Sequence, residues 1–425
     1  MKHSLFFLAF AVCAGAEIRT MTMREAVEMA LAQNPDVLLA RLDQQKARYQ
    51  TTIVRDAFVP KLFAGSGAAY TSGFPTSIDG SAPSILQART VMSIFNRPQS
   101  YLGAQANEGV RGAGVEVARK QEDAVYRVAS LFLDADQLAR SLEATRRQGE
   151  NLTRVRDLTQ QRIAEGRELA IEGRKANLAV LRSNHNVDAL AINLTNAETA
   201  LAMVLGMGPD DRVRPAPGER ALLVVPVSED ASIEQALESS NELKSLQSSM
   251  QSKLMEVKSY EAARLPRINL IAQYSLLAKY NNYDEFFNRF QRNNVQVGMS
   301  FELPVLAGRA PSAQRSAAEA EIAQLRIRVS RTRTRITADL RAAYQNLRRA
   351  EGAREVARAD LELAREELGI ALAQMDEGRL PLARVETLRA TENEKWLAYY
   401  DTQHTADVAR LEVLRQTGTL EAALR

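Results

Sequence analysis

Apolar residues recur at the spacing of a coiled coil in two long stretches of the chain. In residues 99–165 successive apolar positions lie 7, 4, 3, 4, 3 and 4 residues apart, and residues 311–377 carry a similar stripe. A period near 3.5 residues predicts a helix that packs along its length against a neighbouring helix. At about 1.5 Å per residue, each helix would be on the order of 100 Å long. The stripes consist of Val117, Ala124, Val128, Leu131, Ala135, Leu138 and Leu142, and of Ile322, Leu325, Val329, Ile336, Leu340, Ala343 and Leu347.

The chain consists of two similar halves. Glu-Met-Ala-Leu at 28–31 matches Glu-Gln-Ala-Leu at 234–237, and Ala-Phe-Val-Pro-Lys-Leu at 57–62 matches Ala-Arg-Leu-Pro-Arg-Ile at 263–268, both at an offset of 206 positions. A period this long indicates a duplicated domain. We predict a first repeat over 17–208, a proline-rich connecting segment over 209–229, a second repeat over 230–418 and a C-terminal tail over 419–425.

Each repeat is predicted to contain the same elements in the same order. A helix comes first, over 23–57 or 232–263, and ends before Pro60 or Pro266. Two short strands around a loop follow, then the very long helix, and then a returning helix over 169–205 or 382–417.

The strand segments alternate apolar and polar residues. Over 294–305, Val295, Val297, Met299 and Phe301 face one side, where we expect membrane lipid, and polar residues face the other. Residues 267–279 and 86–94 alternate similarly, whereas 62–71 is the weakest candidate. The strands before the two long helices match at an offset of 211, because an offset of 206 would invert their faces.

Four strands cannot close a barrel, since about eight are the practical minimum. Membrane strands in this chain would therefore have to be pooled between subunits, giving eight strands in a dimer or twelve in a trimer. A soluble β-patch that caps a helical bundle is the alternative.

The N-terminus reads as an export signal over 1–16, with an apolar run too short to span a bilayer. Cleavage before a lipidated Cys13 is the alternative. The 55 basic and 52 acidic residues nearly balance, which argues against a bulk nucleic-acid binder. Three His, one Cys and no phosphate-binding loop favour a protein without metal, cofactor or enzymatic activity.

The opening of the mature chain resembles that of a known family. The segment 21–35, Met-Thr-Met-Arg-Glu-Ala-Val-Glu-Met-Ala-Leu-Ala-Gln-Asn-Pro, together with the duplicated order of elements, resembles the TolC-like outer-membrane efflux proteins. The resemblance implies a mainly α fold with a membrane β-barrel: a homotrimer whose four strands per chain form a shared 12-stranded antiparallel barrel, above a periplasmic α-barrel of antiparallel coiled-coil helices. It implies the exit duct of a tripartite efflux pump or a type I secretion system. Its partners would be outer-membrane lipid, a periplasmic adaptor protein and, through the adaptor, an inner-membrane transporter.

The resemblance also implies two sites. The turns between long and returning helices would contact the adaptor; they consist of Gly166, Arg167, Glu168 and Leu169, and of Gly378, Arg379, Leu380 and Pro381. A tunnel constriction would follow the second turn, at Arg384, Glu386 and Thr387. The family's better-known members carry acidic residues where Arg384 and Thr387 stand, so we expect this constriction to attract cations less.

A non-conducting periplasmic coiled-coil scaffold is the alternative function. Strand alternation favours the channel, since a soluble scaffold has no reason to keep it. Drugs, metal ions, small metabolites and exported polypeptides all remain open as cargo.

Overall fold

The computed structural model describes residues 18–67, 84–216, 223–277, 291–305, 308–377 and 379–425. The predicted signal peptide, Cys13 and Gly378 lie outside the described residues. Contacts divide the chain into two compact units, and each unit draws residues from both repeats. Unit 1 takes its described residues from Met1–Leu39, Ala118–Ser240 and Arg333–Arg425, and unit 2 from Ala40–Val117 and Asn241–Thr332.

The predicted order of elements occurs in both repeats, and the prediction of a mainly helical, duplicated chain is confirmed. The two longest helices, α3 and α7, have 68 and 67 residues. The first repeat contains β1 (Ile18–Met21), α1 (Met23–Gln33), α2 (Pro35–Arg55), a 3₁₀ helix (Asp56–Phe58), β2 (Lys61–Gly65), β3 (Ser84–Phe95), α3 (Arg97–Ala164) and α4 (Ala170–Val204). After β4 (Arg212–Pro215) come α5 (Glu229–Ser239), α6 (Asn241–Ala262), β5 (Arg267–Leu277), β6 (Asn293–Glu302), α7 (Ala310–Asp376), α8 (Leu382–Thr417) and α9 (Leu420–Leu424).

The prediction of one continuous first helix in each repeat is wrong. In the first repeat the helix breaks at Asn34, because Pro35 has no N–H to donate and disfavours a helical conformation in the residue before it. Oδ1 of Asn34 accepts hydrogen bonds from the backbone N–H groups of Asp36 and Val37, at 3.0 and 3.2 Å, and so caps α2. The second repeat breaks at Ser240, with φ −49° and ψ 112° and no proline beside it.

The strand predicted over 294–305 is also too long. β6 ends at Glu302, so Leu303 and Val305 do not continue the sheet. Pro304 lacks the N–H that a central strand needs, which accounts for the earlier end.

The core of unit 1 joins helices from both repeats. Val27 of α1, Val128 of α3, Leu201 of α4, and Leu411 and Leu414 of α8 belong to one cluster, and each is at most 1% exposed. Val128 belongs to the coiled-coil stripe identified in the sequence. The stripe is therefore a packing seam, as predicted.

A small parallel sheet in unit 1 was not predicted. β1 pairs with β4, from Ile18 opposite Arg212 to Met21 opposite Pro215. Nε of Arg214 donates to Oε1 of Glu198 in α4 at 2.5 Å, and the Glu198 side chain is fully buried. A buried carboxylate requires such a partner, so the ion pair fixes β4 against α4. Part of the predicted connecting segment thus belongs to the folded unit.

In unit 2, four strands form one antiparallel sheet in the order β2-β3-β5-β6. Lys61 pairs with Val91 in the first hairpin, and Arg267 pairs with Glu302 in the second. Aligning Lys61 with Arg267 therefore aligns Val91 with Glu302, at the predicted offset of 211. The prediction that the five extra residues of the second repeat lie in the loop is wrong: β5 has 11 residues where β2 has 5, and the segment between the strands, 278–292, is shorter than 66–83.

Each returning helix ends at a glycine that contacts the end of the repeat's first helix. Gly206 and Gly418 have φ of 81° and 70°. A Cβ added to Gly206 would lie 2.7 Å from the carbonyl oxygen of Gln33, and one added to Gly418 would lie 2.6 Å from Oγ of Ser239. Both the left-handed backbone and the close approach require glycine.

Gly206→Ala is expected to destabilise unit 1 by about 1–3 kcal/mol, because it adds backbone strain and a clash with a backbone oxygen. Thermal unfolding followed by circular dichroism would show a lower midpoint. Gly352→Ala is the control, since Gly352 lies inside α7 with open space around it. Equal midpoints for Gly206→Ala and the unchanged protein would contradict this account.

Candidate functional site

One face of the four-stranded sheet is apolar across every strand. On β6, Val295, Val297, Met299 and Phe301 are 65–73% exposed in the single chain. Residues directly opposite each other on paired strands share a face, so the pairing defines the rest of this surface. Its other members are Tyr274, Ala272, Leu270 and Ile268 on β5, Leu86, Ala88, Thr90 and Met92 on β3, and Leu62 and Ala64 on β2.

The opposite face is mainly polar. Ser93 of β3 donates to Oδ1 of Asn269 of β5 at 2.7 Å, and Nε2 of Gln273 donates to Oγ of Ser275 at 3.1 Å. Phe63, Val91 and Ile271 are apolar exceptions on this face. The sheet therefore has the two-sided character that the alternation predicted for β3, β5 and β6, and the pairing extends it to β2.

The sheet is open within one chain. Among the described strands, β2 and β6 each have a neighbour on one side only. The outer backbone N–H and C=O groups of these edges are available to pair with another strand.

The two predicted helix turns share one type of backbone hydrogen bond. Gly166, with φ 70°, donates to the carbonyl of Ile163 at 3.0 Å, and Arg167 donates to the carbonyl of Arg162 at 2.8 Å. This pair of bonds is the Schellman motif, which closes a helix with glycine in the left-handed conformation. In the second turn Arg379 donates to the carbonyl of Gln374, also at 2.8 Å.

The side chains of the two turns differ. Each turn has an Arg–Glu ion pair of 3.1 Å, between Arg167 and Glu165 and between Arg379 and Glu377. Leu169 is 72% exposed, and Glu168 beside it is also exposed. Leu380, by contrast, packs on a cluster of Leu368, Ala371 and Val385, and Pro381 stands exposed at the N-terminus of α8.

The predicted constriction residues point into different environments. Arg384 and Thr387 are exposed, whereas the Glu386 side chain is only 11% exposed and lies 3.2 Å from Nη1 of Arg389. Glu386 lines a groove of about 540 Å³ between α3 and α8 within unit 1. Burial raises the pKa of Glu386 above its usual value, and the nearby guanidinium groups of Arg389 and Arg154 counteract this only in part. Glu386 therefore belongs to a groove between helices, while Arg384 is open to its surroundings.

Unit 1 carries two apolar stripes that sequence reasoning missed. Helix contacts run in the order α4, α3, α8, α7: Leu194 packs on Leu142, His404 bonds Asp134 at 2.6 Å, and Lys395 bonds Asp360 at 2.7 Å. Large exposed apolar residues lie on the outer helices, α4 and α7; among the described residues of α3 and α8, only Leu158 is of this kind. The stripes are Ile171, Leu178, Leu181 and Ile192 on α4, and Val356, Leu363 and Ile370 on α7.

The seven-residue spacing of Val356, Leu363 and Ile370 was a signal in the sequence that could have identified the second stripe. A second apolar position in each heptad of the same helix indicates a second neighbouring helix.

No helix in the described part of the chain has an apolar stretch long enough to cross a membrane.

Among the described residues, no group of three or more His, Cys, Asp or Glu side chains is placed to hold a metal ion.

A sequence model of the family described as outer membrane efflux protein matches residues 26–207 and matches again at residues 232–419. The chain belongs to this family. Membership places it in the outer membrane, with its helical part in the periplasm. The two matches correspond to the two similar halves of the sequence.

Known members and solved structures agree with this assignment. The outer membrane efflux protein BepC of Brucella suis biovar 1 (strain 1330) is 25% identical over 341 residues, which cover 75% of this chain and 70% of BepC. A membrane protein from Pseudomonas aeruginosa has a TM-score of 0.76 at 19% identity, with 93% of each chain covered. The CmeC outer membrane channel of Campylobacter jejuni has a TM-score of 0.76 at 14% identity, covering 94% of this chain and 86% of CmeC. The structural matches establish the shared fold.

Proposed function

We propose that this outer membrane efflux protein is a homotrimeric channel that serves as the exit duct of a tripartite efflux pump or a type I secretion system. Substrate moves passively through it from the periplasm to the exterior. The energy comes from an inner-membrane transporter that is coupled to the duct through a periplasmic adaptor. The observation that carries the proposal is the apolar face shared by all four strands of one open sheet.

That sheet supports a barrel made by several chains. The apolar face is strongly exposed on β6, as a lipid-facing surface must be before assembly, and the opposite face is mainly polar, as a water-filled interior requires. The free edges β2 and β6 can pair between neighbouring chains. Three chains supply twelve strands, enough for a barrel with an open interior, whereas eight strands enclose a barrel filled by side chains.

The helical unit supports the same assembly. Because the exposed stripes lie on two different helices, α4 of one chain can pack against α7 of the next. An interface between two different surfaces repeats around a ring until the ring closes. We propose that this contact continues the coiled-coil wall from subunit to subunit.

The helix turns are the proposed adaptor contacts. The ion pairs Arg167–Glu165 and Arg379–Glu377 present exposed charge beside each turn, and Leu169 adds an exposed apolar group at the first. An exposed apolar group with charged side chains around it has the composition of a protein interface, which has an apolar centre and a polar rim.

The constriction is proposed at Arg384, where the exposed guanidinium groups of three subunits would approach the channel axis. Glu386 is turned into the groove between α3 and α8 and pairs with Arg389, so its charge contributes less to the lumen. A ring of positive charge on a narrow axis repels cations.

Val297→Arg is expected to reduce membrane insertion sharply, since an arginine on the lipid side of a barrel costs about 2–4 kcal/mol near the bilayer midplane. Gln296→Arg, one residue earlier on the opposite face, is the matched control and should still form channels. The measurement is the number of discrete conductance steps in planar bilayers. If the unchanged protein gives no conductance steps, the non-conducting scaffold is favoured. Equal numbers of conductance steps for the two variants would refute the assignment of faces.

Leu181→Glu on α4, or Leu363→Glu on α7, is expected to shift the purified protein from trimer to monomer in detergent. Either change places a charge in the proposed seam between subunits, where it would have to be desolvated. Asn186→Glu is the control, because Asn186 is exposed on α4 but off the stripe. Analytical ultracentrifugation measures the outcome; intact trimers from both leucine variants would exclude this interface.

Arg384→Gln is expected to make the channel more permeable to cations relative to anions, whereas Glu386→Gln should leave this ratio almost unchanged. The reversal potential under a salt gradient reports the permeability ratio. Strong cation selectivity that Glu386→Gln abolishes and Arg384→Gln does not would contradict the assigned roles.

A further inference from the structure

Every junction between a helix and a strand in unit 2 carries a basic residue. The first repeat has Lys61 at the start of β2 and Arg97 at the start of α3. The second repeat has Arg264 between α6 and β5, and Arg309 between β6 and α7. Since the four strands form one antiparallel sheet, these four junctions lie at the same end of it. We call this set the junction cations.

Three of the junction cations have no acidic partner. Lys61 forms an ion pair with Asp56. Within the described residues, the guanidinium of Arg97 contacts only the ring of Phe95, at 5.7 Å, and Arg264 and Arg309 have no side-chain partner. All three are exposed. Surface arginines in this protein are otherwise commonly paired along helices, as Arg315 is with Glu319.

Exposed apolar residues stand beside the junction cations. Val59 precedes Lys61, Leu265 follows Arg264, and Leu303 and Val305 precede Arg309. Val305 is 85% exposed. A long basic side chain next to exposed apolar groups is characteristic of a membrane interface, where the apolar part enters the lipid and the charged end stays with the headgroups.

The other end of the sheet lacks this excess of positive charge. By sequence, the β2–β3 loop at 66–83 has one charged residue, Asp79, and the segment 278–292 has three basic and two acidic residues, so the two segments together carry no net charge. The segments 55–61, 95–97, 264–267 and 302–309 at the junctions contain six basic residues and two acidic ones. The basic charge is therefore concentrated at the helical end of the strands.

We propose that Arg97, Arg264 and Arg309 bind the phosphate groups of anionic phospholipids in the leaflet of the outer membrane that faces the periplasm. This inference rests on the proposed function, because the strands must span that membrane. Guanidinium groups bind phosphate oxygens through charge-assisted hydrogen bonds. In a trimer the three arginines become nine, and this basic belt fixes the depth at which the sheet sits in the bilayer. Anionic headgroups attract such a belt electrostatically, so the attraction weakens at high salt.

The test uses the full protein in vesicles of phosphatidylethanolamine, with or without phosphatidylglycerol. The readout is the temperature at which the oligomer dissociates, measured at low and high salt. We expect phosphatidylglycerol to raise this temperature for the unchanged protein at low salt. The triple variant Arg97→Gln, Arg264→Gln, Arg309→Gln is expected to lose at least half of that shift.

Two further variants separate charge from packing. Replacing the same three arginines by lysine keeps the charge and should keep most of the shift. Replacing Arg326, Arg328 and Arg331 by glutamine removes three exposed arginines of α7 away from the junctions and should leave the shift unchanged. An equal shift in the junction triple variant and the unchanged protein, or an equal loss in the α7 control, would overturn the inference.

The count of bound phosphatidylglycerol molecules by native mass spectrometry is a second readout, and single variants serve if the triple variant does not assemble. An unchanged count in all three single variants would also overturn the inference. Conductance distinguishes a failure of the basic belt from a failure of the proposed function. An unchanged protein that conducts in both lipid mixtures but shows no lipid-dependent shift refutes the basic belt alone. An unchanged protein that never conducts refutes the proposed function, and the belt with it.

Discussion

The backbone of an open sheet must find hydrogen-bond partners, and this requirement governs the rest of the molecule. β2 and β6 each lack a neighbour on one side within the described chain. In water such an edge is hydrated, but in hydrocarbon each unpaired N–H or C=O group costs several kcal/mol. In the proposed channel, both edges pair with strands of other copies of the chain. Assembly is thus a condition for insertion rather than an addition to it.

The helices are arranged to meet the same condition. α3 and α8 lie between α4 and α7 in unit 1 and leave few apolar side chains exposed, whereas α4 and α7 keep theirs on the outside. The duplication explains the geometry, because each repeat supplies one strand hairpin and one pair of long helices. One chain therefore contributes two hairpins to the sheet and two pairs of long helices to the helical layer. The two edges of the sheet are different strands, β2 and β6, and the two outer helices of the layer are α4 and α7. Such ends suit a ring, in which each end meets its opposite.

Sequence periodicity predicted much of this fold, and its failures have local causes. The 3.5-residue stripe identified Val128 as a core residue, and the alternation over 294–302 identified the faces of β6, because both patterns depend only on which side is buried. The apolar period continues across both breaks in the first helices, so it shows neither the break at Asn34, which Pro35 marks, nor the break at Ser240, which no proline marks; β1 and β4 have four residues each, too few to show a period. The burial of Glu386 depends on α3, which is distant in sequence, and no local pattern encodes it.

The two repeats share the backbone conformation at the ends of their returning helices but differ in the charge of exposed side chains. Gly206 and Gly418 end the returning helices in the same left-handed conformation, each against its own first helix. At the offset of 212 that relates these glycines, Arg384 corresponds to Glu172, so a position that is acidic in one repeat is basic in the other. Glu172 pairs with Lys175 at 2.8 Å on the surface, which neutralises it locally, whereas no acidic side chain among the described residues pairs with the exposed Arg384. Of these two corresponding positions, only Arg384 keeps an uncompensated charge. In the proposed channel, the net charge at this distance along the axis is therefore positive.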